Sequence, residues 1–379
     1  MAICAGQYTL GRSSGGTEDS VQPSTVINEP KTRSILGALL RAFLILFAVA
    51  GTPHFLRIVR EPPSLTDLYP VWLGSRELLL DHRNPYSPEV SREIQVAFYG
   101  KELGPGDHPD QQCCFAYPAY VSFLLAPIIN ADFDDARRIM LFLLSALTAA
   151  SVICWHVVTR RGSSWLALTT LLVLVSPPVM QGLELRQLGM LVAALLSVSV
   201  FLADRRHFAL SGVALALATV KPQMSILPIA WMMLWAIHGW AARKSLVISF
   251  LCTMAFFVGA GELLLPGWIS LFAAQLPLYR HFAGASILGL VYNRKLEFTF
   301  TIIFAGGLVW LMWRKRGVAD FVPTLAFIMA IEVVTVPGLK SLLNLVLLIP
   351  GIFILLSKYP VLGFKQAVDV RSPDRERTS

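Results

Sequence analysis

Long apolar stretches recur along this chain of 379 residues. Each runs to roughly 18–24 residues, the length that an α-helix needs to cross a hydrocarbon core of about 30 Å. Only 15% of the residues are charged, against about 25% in a soluble domain. Backbone groups in lipid must be hydrogen-bonded within the segment, so such stretches fold as helices. The sequence therefore predicts an all-α integral membrane protein and excludes soluble, disordered and disulfide-rich secreted classes.

The net charge of +8 comes from basic residues that fall in short clusters between the apolar stretches. This placement is typical of cytoplasmic loops of membrane proteins, so it needs no nucleic-acid partner to explain it. The partners predicted at this stage are membrane lipids. The clusters that fix the topology are Lys31/Arg33, Arg160–Arg161, Arg205–Arg206, Arg243–Lys244 and Arg314–Lys315–Arg316.

If every basic cluster faces the cytoplasm, each segment between two clusters contains an even number of crossings. This rule predicts a bundle of about ten spans over residues 35–358, beginning with a span from Ser34 to Ile58. Residues 1–34 and 359–379 are polar and are predicted to be cytoplasmic tails, the first of them disordered. The protein is then a multi-pass plasma-membrane protein with both termini in the cytoplasm.

The apolar run from Tyr117 to Ile129 decides whether this count is right. It has about thirteen residues and is bracketed by Pro118 and Pro127, which is short for a span. We interpret it as an interfacial or re-entrant helix on the outer face. The alternative is a full span, which would reverse the orientation of everything that follows.

Two long outer loops are predicted, over residues 59–137 and 266–295. In the first loop, Asp67 can cap a helix that runs to about Leu80, and Ser87–Pro88 can start another that ends before Gly100. The first of these helices has an apolar stripe suited to lying on the membrane surface. The stripe consists of Leu68, Val71, Trp72, Ser75 and Leu79.

The sequence has no phosphate-binding loop, dinucleotide fingerprint, zinc-protease motif or hydrolase nucleophile elbow. What remains is a set of ionisable side chains at the outer ends of the predicted spans. Such groups near hydrocarbon cost several kcal/mol unless they have partners, so they are candidates for function. They are Glu61, Asp67, Glu184, Arg186, Lys221, Arg280, His281 and Arg294.

Each candidate also has a purely structural interpretation. Asp67 can be only a helix cap, and Lys221 can extend to lipid head groups. Glu184 and Arg186 can pair with each other. Arg280 and Arg294 can hold anionic lipids, and a lone histidine such as His281 is commonly structural.

Several short motifs resemble glycosyltransferase family 87, whose members use polyprenyl-phosphate sugars. The first outer loop contains Thr66-Asp67-Leu68-Tyr69, Ser75-Arg76-Glu77-Leu78-Leu79 and Arg83-Asn84-Pro85-Tyr86. The resemblance covers roughly residues 35–295 and includes further matches. These are Phe115-Ala116-Tyr117-Pro118, Leu124-Leu125-Ala126-Pro127, Arg186-Gln187-Leu188-Gly189 and the run at Lys221-Pro222.

The resemblance implies a GT-C-type bundle whose first outer loop carries the catalytic acid, the position that Asp67 occupies. It implies a mannosyltransferase that moves sugar from a polyprenyl-phosphate donor to a lipid or glycan acceptor with inversion. Arg83, Tyr86 and Gln187 join the other candidates as substrate-binding residues. No cofactor is expected, and no metal is required because the cations can stabilise the leaving phosphate. A bacterial membrane is implied by the resemblance alone.

The main alternative is a transporter or flippase for a lipid-linked or anionic solute, in which the same cations would line a path across the membrane. An O-antigen-polymerase-like protein shares the outer charges, but no feature of this sequence favours it.

The topology is testable by cysteine labelling in intact cells. An impermeant thiol reagent should label cysteine introduced at Pro109 or Ser286, and should fail to label it at Ser163 or Gly317. Labelling at Ser163 would mean that the run from Tyr117 to Ile129 crosses the membrane.

Overall fold

The computed structural model describes residues 29–60, 65–104, 107, 112–160, 166–283, 294–316, 321–335 and 342–358. Every regular element in these ranges is helical. The helices are α1 (Glu29–Arg60), α2 (Leu68–Leu79), α3 (Pro88–Tyr99), α4 (Val121–Leu125), α5 (Phe133–Val158), α6 (Leu166–Leu174), α7 (Pro177–Glu184), α8 (Leu188–Asp204), α9 (Phe208–Leu217), α10 (Ile226–His238), α11 (Trp240–Leu264), α12 (Trp268–Ala283), α13 (Arg294–Lys315), α14 (Phe321–Thr335) and α15 (Ile349–Lys358).

The described helices include long apolar ones, as an integral membrane protein requires. Three of them are long and apolar enough to cross a membrane, namely Arg41–Arg60 within α1, α5 and α11. The pair α6 and α7, bent by 59° at a short break, makes a fourth if it counts as one broken span. Five of the other described helices are apolar but shorter, while the count of ten spans stays a prediction.

Helix α1 begins at Glu29, a few residues before the start predicted at Ser34. The rest of the predicted N-terminal tail, residues 1–28, and the whole predicted C-terminal tail, residues 359–379, lie outside the described residues. Large apolar side chains of α1 such as Phe43 and Leu46 are exposed, as expected for a helix that faces lipid.

Helices α2 and α3 lie in the first of the two predicted outer loops, where the sequence placed them. The Ser87 hydroxyl accepts the Val90 N–H at 3.3 Å and caps α3, and Gly100 ends that helix with a φ of +69°. Only glycine adopts this left-handed conformation without strain, so the predicted boundaries of α3 are confirmed.

The apolar stripe of α2 does not lie open to the membrane surface, so the interfacial interpretation of this helix was wrong. Leu68, Val71 and Ser75 are fully buried, because α2 packs against α3, α4 and α5. An apolar stripe on one helix face can be buried against protein or against lipid, so the same sequence pattern fits both environments. Gly74 permits the contact with the Phe115 ring, because a Cβ at this position would overlap the ring.

The run from Tyr117 to Ile129 contains only the five-residue helix α4, followed by turns. Five residues rise about 7.5 Å, which is far too short to cross a bilayer. This length favours the non-spanning interpretation that gave the predicted topology.

The predicted turn at Lys221–Pro222 and the predicted second outer loop have different outcomes. The chain leaves α9, passes through 3-10 turns at Ala218–Val220 and Pro222–Met224, and enters α10, so the break lies where it was predicted.

The loop predicted over residues 266–295 instead contains α12. Gln275 of α12 donates to the Tyr86 carbonyl oxygen at 2.6 Å, which ties this helix to the first outer loop.

Helix α8 is the central element of the bundle because it packs against both α5 and α9. The Trp155 indole of α5 donates to the Ser197 hydroxyl at 2.9 Å, and Ser199 and Ser211 share a hydrogen bond of 2.9 Å between α8 and α9. Small polar residues of this kind join membrane helices closely. These hydrogen bonds fix the place of α8 between α5 and α9.

The contact between α2 and Phe115 predicts the effect of a small substitution. Gly74→Ala should destabilise the protein by about 1–3 kcal/mol, because the new methyl group overlaps a buried aromatic ring. Gly259→Ala in α11 is the matched control, since no described atom lies within 4 Å of its added Cβ. Thermal unfolding in detergent should show a lower Tm for the first variant alone; equal Tm values would contradict the packing of α2.

Candidate active site

Asp67 occupies the N-cap position of α2 but does not act as a cap, since its side chain makes no hydrogen bond to that helix. Its carboxylate instead accepts two side-chain amides. Oδ1 accepts from Gln112 Nε2 at 2.8 Å, and Oδ2 accepts from Gln187 Nε2 at 2.5 Å. The first outer loop and the bundle therefore meet at this carboxylate.

Gln187 is held by the turn between α7 and α8. Its N–H bonds to Gly182 O at 2.9 Å, and the Arg186 N–H bonds to Leu183 O at 3.2 Å. These two bonds form a Schellman motif, in which the residue after the C-cap is left-handed and usually glycine. Arg186 takes that position with a φ of +50°.

The Arg186 side chain stabilises this turn from inside the protein. It is fully buried, and its guanidinium donates to the carbonyl oxygens of Leu183 at 3.0 Å and Glu184 at 2.7 Å, at the C-terminus of α7. The structure uses Arg186 to close the end of a helix, which fixes the position of the next residue, Gln187. The expected pairing of the Arg186 and Glu184 side chains is not what the hydrogen bonds show, because the Glu184 backbone is the acceptor.

Lys221 reaches the same place from the break between α9 and α10. Its side chain is buried, so it does not extend to lipid head groups. The Nζ atom donates to Gln187 Oε1 at 3.1 Å. Gln187 therefore lies between the carboxylate of Asp67 and the ammonium group of Lys221.

Two tyrosines on the segment before α4 complete the surroundings. The Tyr117 hydroxyl donates weakly to Gln187 Oε1 at 3.4 Å. The Tyr120 hydroxyl donates to the oxygens of Thr219, at 3.0 Å for the carbonyl and 2.9 Å for the side chain. This segment thus joins the outer loop to the break that carries Lys221.

Burial raises the pKa of Asp67 above its ordinary value, whereas the charge of Lys221 and the hydrogen bonds from Gln187 and Gln112 lower it. Burial is the largest of these effects, so the carboxylate is a stronger proton acceptor than an exposed aspartate. A group of this kind suits general-base chemistry.

Two other predicted residues, Arg83 and Tyr86, make contacts within the outer loop. Arg83 pairs with Glu77 at 2.7 Å and with Glu93 at 2.7 Å, which joins α2 to α3. Tyr86 is buried, and its hydroxyl donates to the Tyr117 carbonyl oxygen at 2.7 Å. These contacts place Arg83 and Tyr86 in the framework of the outer loop.

Four predicted residues cannot be placed around Asp67 by their side chains. Glu61 lies outside the described residues. For Arg280 and His281 in α12, and for Arg294 at the start of α13, the structure describes the helical backbone only. Their roles stay predictions.

Sequence reasoning missed Gln112 as a functional residue. It follows the polar segment at 105–111 and has no motif of its own. The Tyr99 hydroxyl accepts its N–H at 2.7 Å, and Gln95 of α3 donates to the next carbonyl oxygen, that of Cys113, at 2.8 Å. The signal that could have found it is the adjacent pair Cys113–Cys114 in a polar segment, because cysteine is among the residues most often buried. In the structure both cysteines are buried.

Among the described residues, no three His, Cys, Asp or Glu side chains come together in a way that could hold a metal ion. The arrangement in this part of the chain offers a carboxylate, two amides, an ammonium group and a phenol. Together they can accept a proton from a hydroxyl and stabilise a developing negative charge a short distance away.

Residues 115–343, more than half of the chain, match the model of glycosyltransferase family 87. The chain belongs to this family and is a membrane glycosyltransferase. The match includes Tyr117, Gln187 and Lys221, while Asp67 and Gln112 lie before it. Neither a curated protein nor a solved structure matches the chain.

Proposed function

We propose that this membrane glycosyltransferase moves a hexose, with mannose favoured by the family resemblance, from a polyprenyl-phosphate donor to a hydroxyl of a lipid or glycan acceptor. The reaction takes place at the outer face of a bacterial plasma membrane, in a GT-C-type bundle. The observation that carries the proposal is the pairing of Asp67 with Lys221 through Gln187 at the junction of outer loop and bundle.

Asp67 is the general base. It takes the proton from the acceptor hydroxyl, whose oxygen attacks the anomeric carbon while the bond from that carbon to the donor phosphate breaks. Attack opposite the leaving phosphate inverts the anomeric centre, as in single-displacement glycosidases with the acceptor in place of water. The raised pKa of Asp67 assists proton removal at neutral pH.

Lys221 stabilises the leaving phosphate. Its ammonium group has three donors, and in the described structure one of them is directed to Gln187. The other donors can bind phosphate oxygens in a site of low dielectric constant, where such contacts are strong. Arg280 and Arg294 are proposed as further phosphate contacts because of their places in α12 and α13.

The donor reaches this site from the membrane itself, since its polyprenyl tail is soluble only there. Helix α1 exposes a long apolar surface and leads directly into the segment that carries Asp67. Neither a cofactor nor a metal ion is part of the proposal, because Lys221 supplies the positive charge.

The first test asks whether Asp67 accepts the proton. Asp67→Asn should fold normally, because the Asn oxygen can accept from Gln187 while its amide donates to a rotated Gln112. It should lower kcat by about 10²–10⁴-fold, since the base is lost. Transfer of labelled sugar from a synthetic polyprenyl-phosphate donor by purified protein is the measurement.

Asp81→Asn serves as the control, because Asp81 is an exposed acid of the same loop. It should transfer sugar at the normal rate. Full activity in Asp67→Asn would remove Asp67 from the mechanism. Transport of the donor without transfer by the unmodified protein would favour a flippase instead.

The second test concerns the phosphate. Lys221→Met should weaken binding of the donor about 10–100-fold, because a charge-assisted hydrogen bond contributes about 1.5–3 kcal/mol. Lys101→Met, which removes an exposed lysine of the outer loop, is the matched control. Titration with a non-transferable polyprenyl-phosphate analogue measures the affinity; equal affinities in the two variants would exclude a phosphate contact by Lys221.

A further inference from the structure

The proposed base and the proposed phosphate-binding cation do not touch each other. Asp67 and Lys221 are close enough for the charge of Lys221 to lower the pKa of Asp67. In the described part of the chain, however, the two groups are connected by Gln187, which donates to Asp67 and accepts from Lys221. Two opposite charges in a half-buried site would ordinarily form a direct ion pair.

We propose that Gln187 is a positioning residue that separates Asp67 from Lys221, so that the carboxylate stays free to accept a proton and the ammonium group stays free to bind phosphate. This inference rests on the proposed function and assigns to Gln187 a role other than the predicted contact with substrate.

The orientation of the Gln187 amide follows from its two neighbours. Its NH₂ group faces the Asp67 carboxylate at 2.5 Å, and its oxygen faces the Lys221 ammonium group at 3.1 Å. The reverse orientation would place oxygen against oxygen and donor against donor, so both contacts would be lost. The amide dipole is therefore aligned between an anion and a cation, and each contact polarises the other.

The separation leaves hydrogen-bonding capacity on both charged groups. Each oxygen of the Asp67 carboxylate accepts one amide in the described structure, and an ionised carboxylate offers about four lone-pair sites. A direct ion pair with Lys221 would lower the basicity of the carboxylate and occupy the cation before the donor arrives. An amide accomplishes the separation without adding a third charge.

The backbone around Gln187 is suited to a fixed spacer. The Schellman turn at the end of α7, closed by the buried guanidinium of Arg186, sets the place of Gln187 at the N-terminus of α8. The Tyr117 hydroxyl at 3.4 Å gives the amide oxygen a second contact. The position of the separating group is thus determined by elements of the bundle and not by the charges alone.

Gln112 provides a matched comparison within the same site. It donates to the other oxygen of Asp67 at 2.8 Å, and its hydrogen bonds within the described residues go to Asp67 and Tyr99, not to Lys221. Loss of Gln112 removes one donor from the carboxylate. Loss of Gln187 removes one donor and also opens the gap that keeps the two charges apart.

The pH dependence of kcat/KM distinguishes these effects, because its acidic limb reports the ionisation of the base in the free enzyme. Among the described residues, the titratable groups that interact with Asp67 are Lys221 and the phenol of Tyr99. Burial raises the pKa of Tyr99, so this phenol stays neutral across the acidic limb.

Gln112→Ala should move the acidic limb to higher pH, because a hydrogen bond that stabilises the charged form of Asp67 is lost. Gln187→Ala should move it to lower pH, because Lys221 then pairs directly with Asp67. The plateau rate of Gln187→Ala should fall about 10²-fold, since both groups leave their working positions. Gln187→Met fills the gap without hydrogen bonds and should move the limb to higher pH.

The opposite shifts of the acidic limb in Gln112→Ala and Gln187→Ala are the test. Thermal unfolding in detergent shows whether each variant folds. Gln187→Ser replaces Gln187→Ala if the alanine variant does not fold. A limb that moves to higher pH, or does not move, in the small variants would overturn the separating role. The double variant Gln187→Ala/Lys221→Met should lose the downward shift; a shift that persists without Lys221 would also overturn it. If Asp67→Asn is inactive but the pH limbs do not shift as expected, the separating role of Gln187 is wrong and the proposed function stands. If Asp67→Asn is fully active, the proposed function itself is wrong.

Discussion

Hydrogen bonding of one half-buried carboxylate determines how the outer loop and the membrane bundle fit together. The Asp67 carboxylate is satisfied by one amide from the loop and one from the bundle, Gln112 and Gln187. A buried carboxylate without such partners would be very costly. Each side of the junction therefore has to be in place before the other can be completed. The bond to Gln187, and through it to Lys221, makes the junction a site that can transfer protons as well as a point of assembly.

The bundle meets this requirement with an unusual turn. Arg186 adopts a left-handed conformation that normally belongs to glycine, at a cost of about 1–2 kcal/mol. Its buried guanidinium offsets this cost by bonding the last carbonyl oxygens of α7. Arginine rather than glycine at this position makes sense if the turn must be rigid, because Gln187 follows it directly. A glycine would allow the turn but would leave those carbonyl oxygens without this donor.

Hydrophobicity, charge and capping signals were sufficient to predict the helical membrane fold, the helix from Pro88 to Tyr99 and the break at Lys221. Amphipathicity alone could not tell whether α2 lies on lipid or on protein, and the stripe at Leu68 and Val71 proved to be buried. Asp67 could be selected from its place after the first span. Gln187 could be selected through the short motif at Arg186–Gly189, but its contact with Asp67 could not, because the two residues are 120 positions apart. Gln112, 45 residues after Asp67, belongs to no motif, and an isolated uncharged amide leaves no pattern in a single sequence.

The stereochemistry of transfer tests the central claim most directly, because a base that activates the acceptor in one displacement must invert the anomeric centre. The purified protein would be given a synthetic polyprenyl-phosphate mannose of defined anomeric configuration, carrying ¹³C at the anomeric carbon. The one-bond carbon–proton coupling at that carbon, measured by NMR in donor and product, reports the configuration. Our account predicts opposite configurations. The same configuration in donor and product would contradict it.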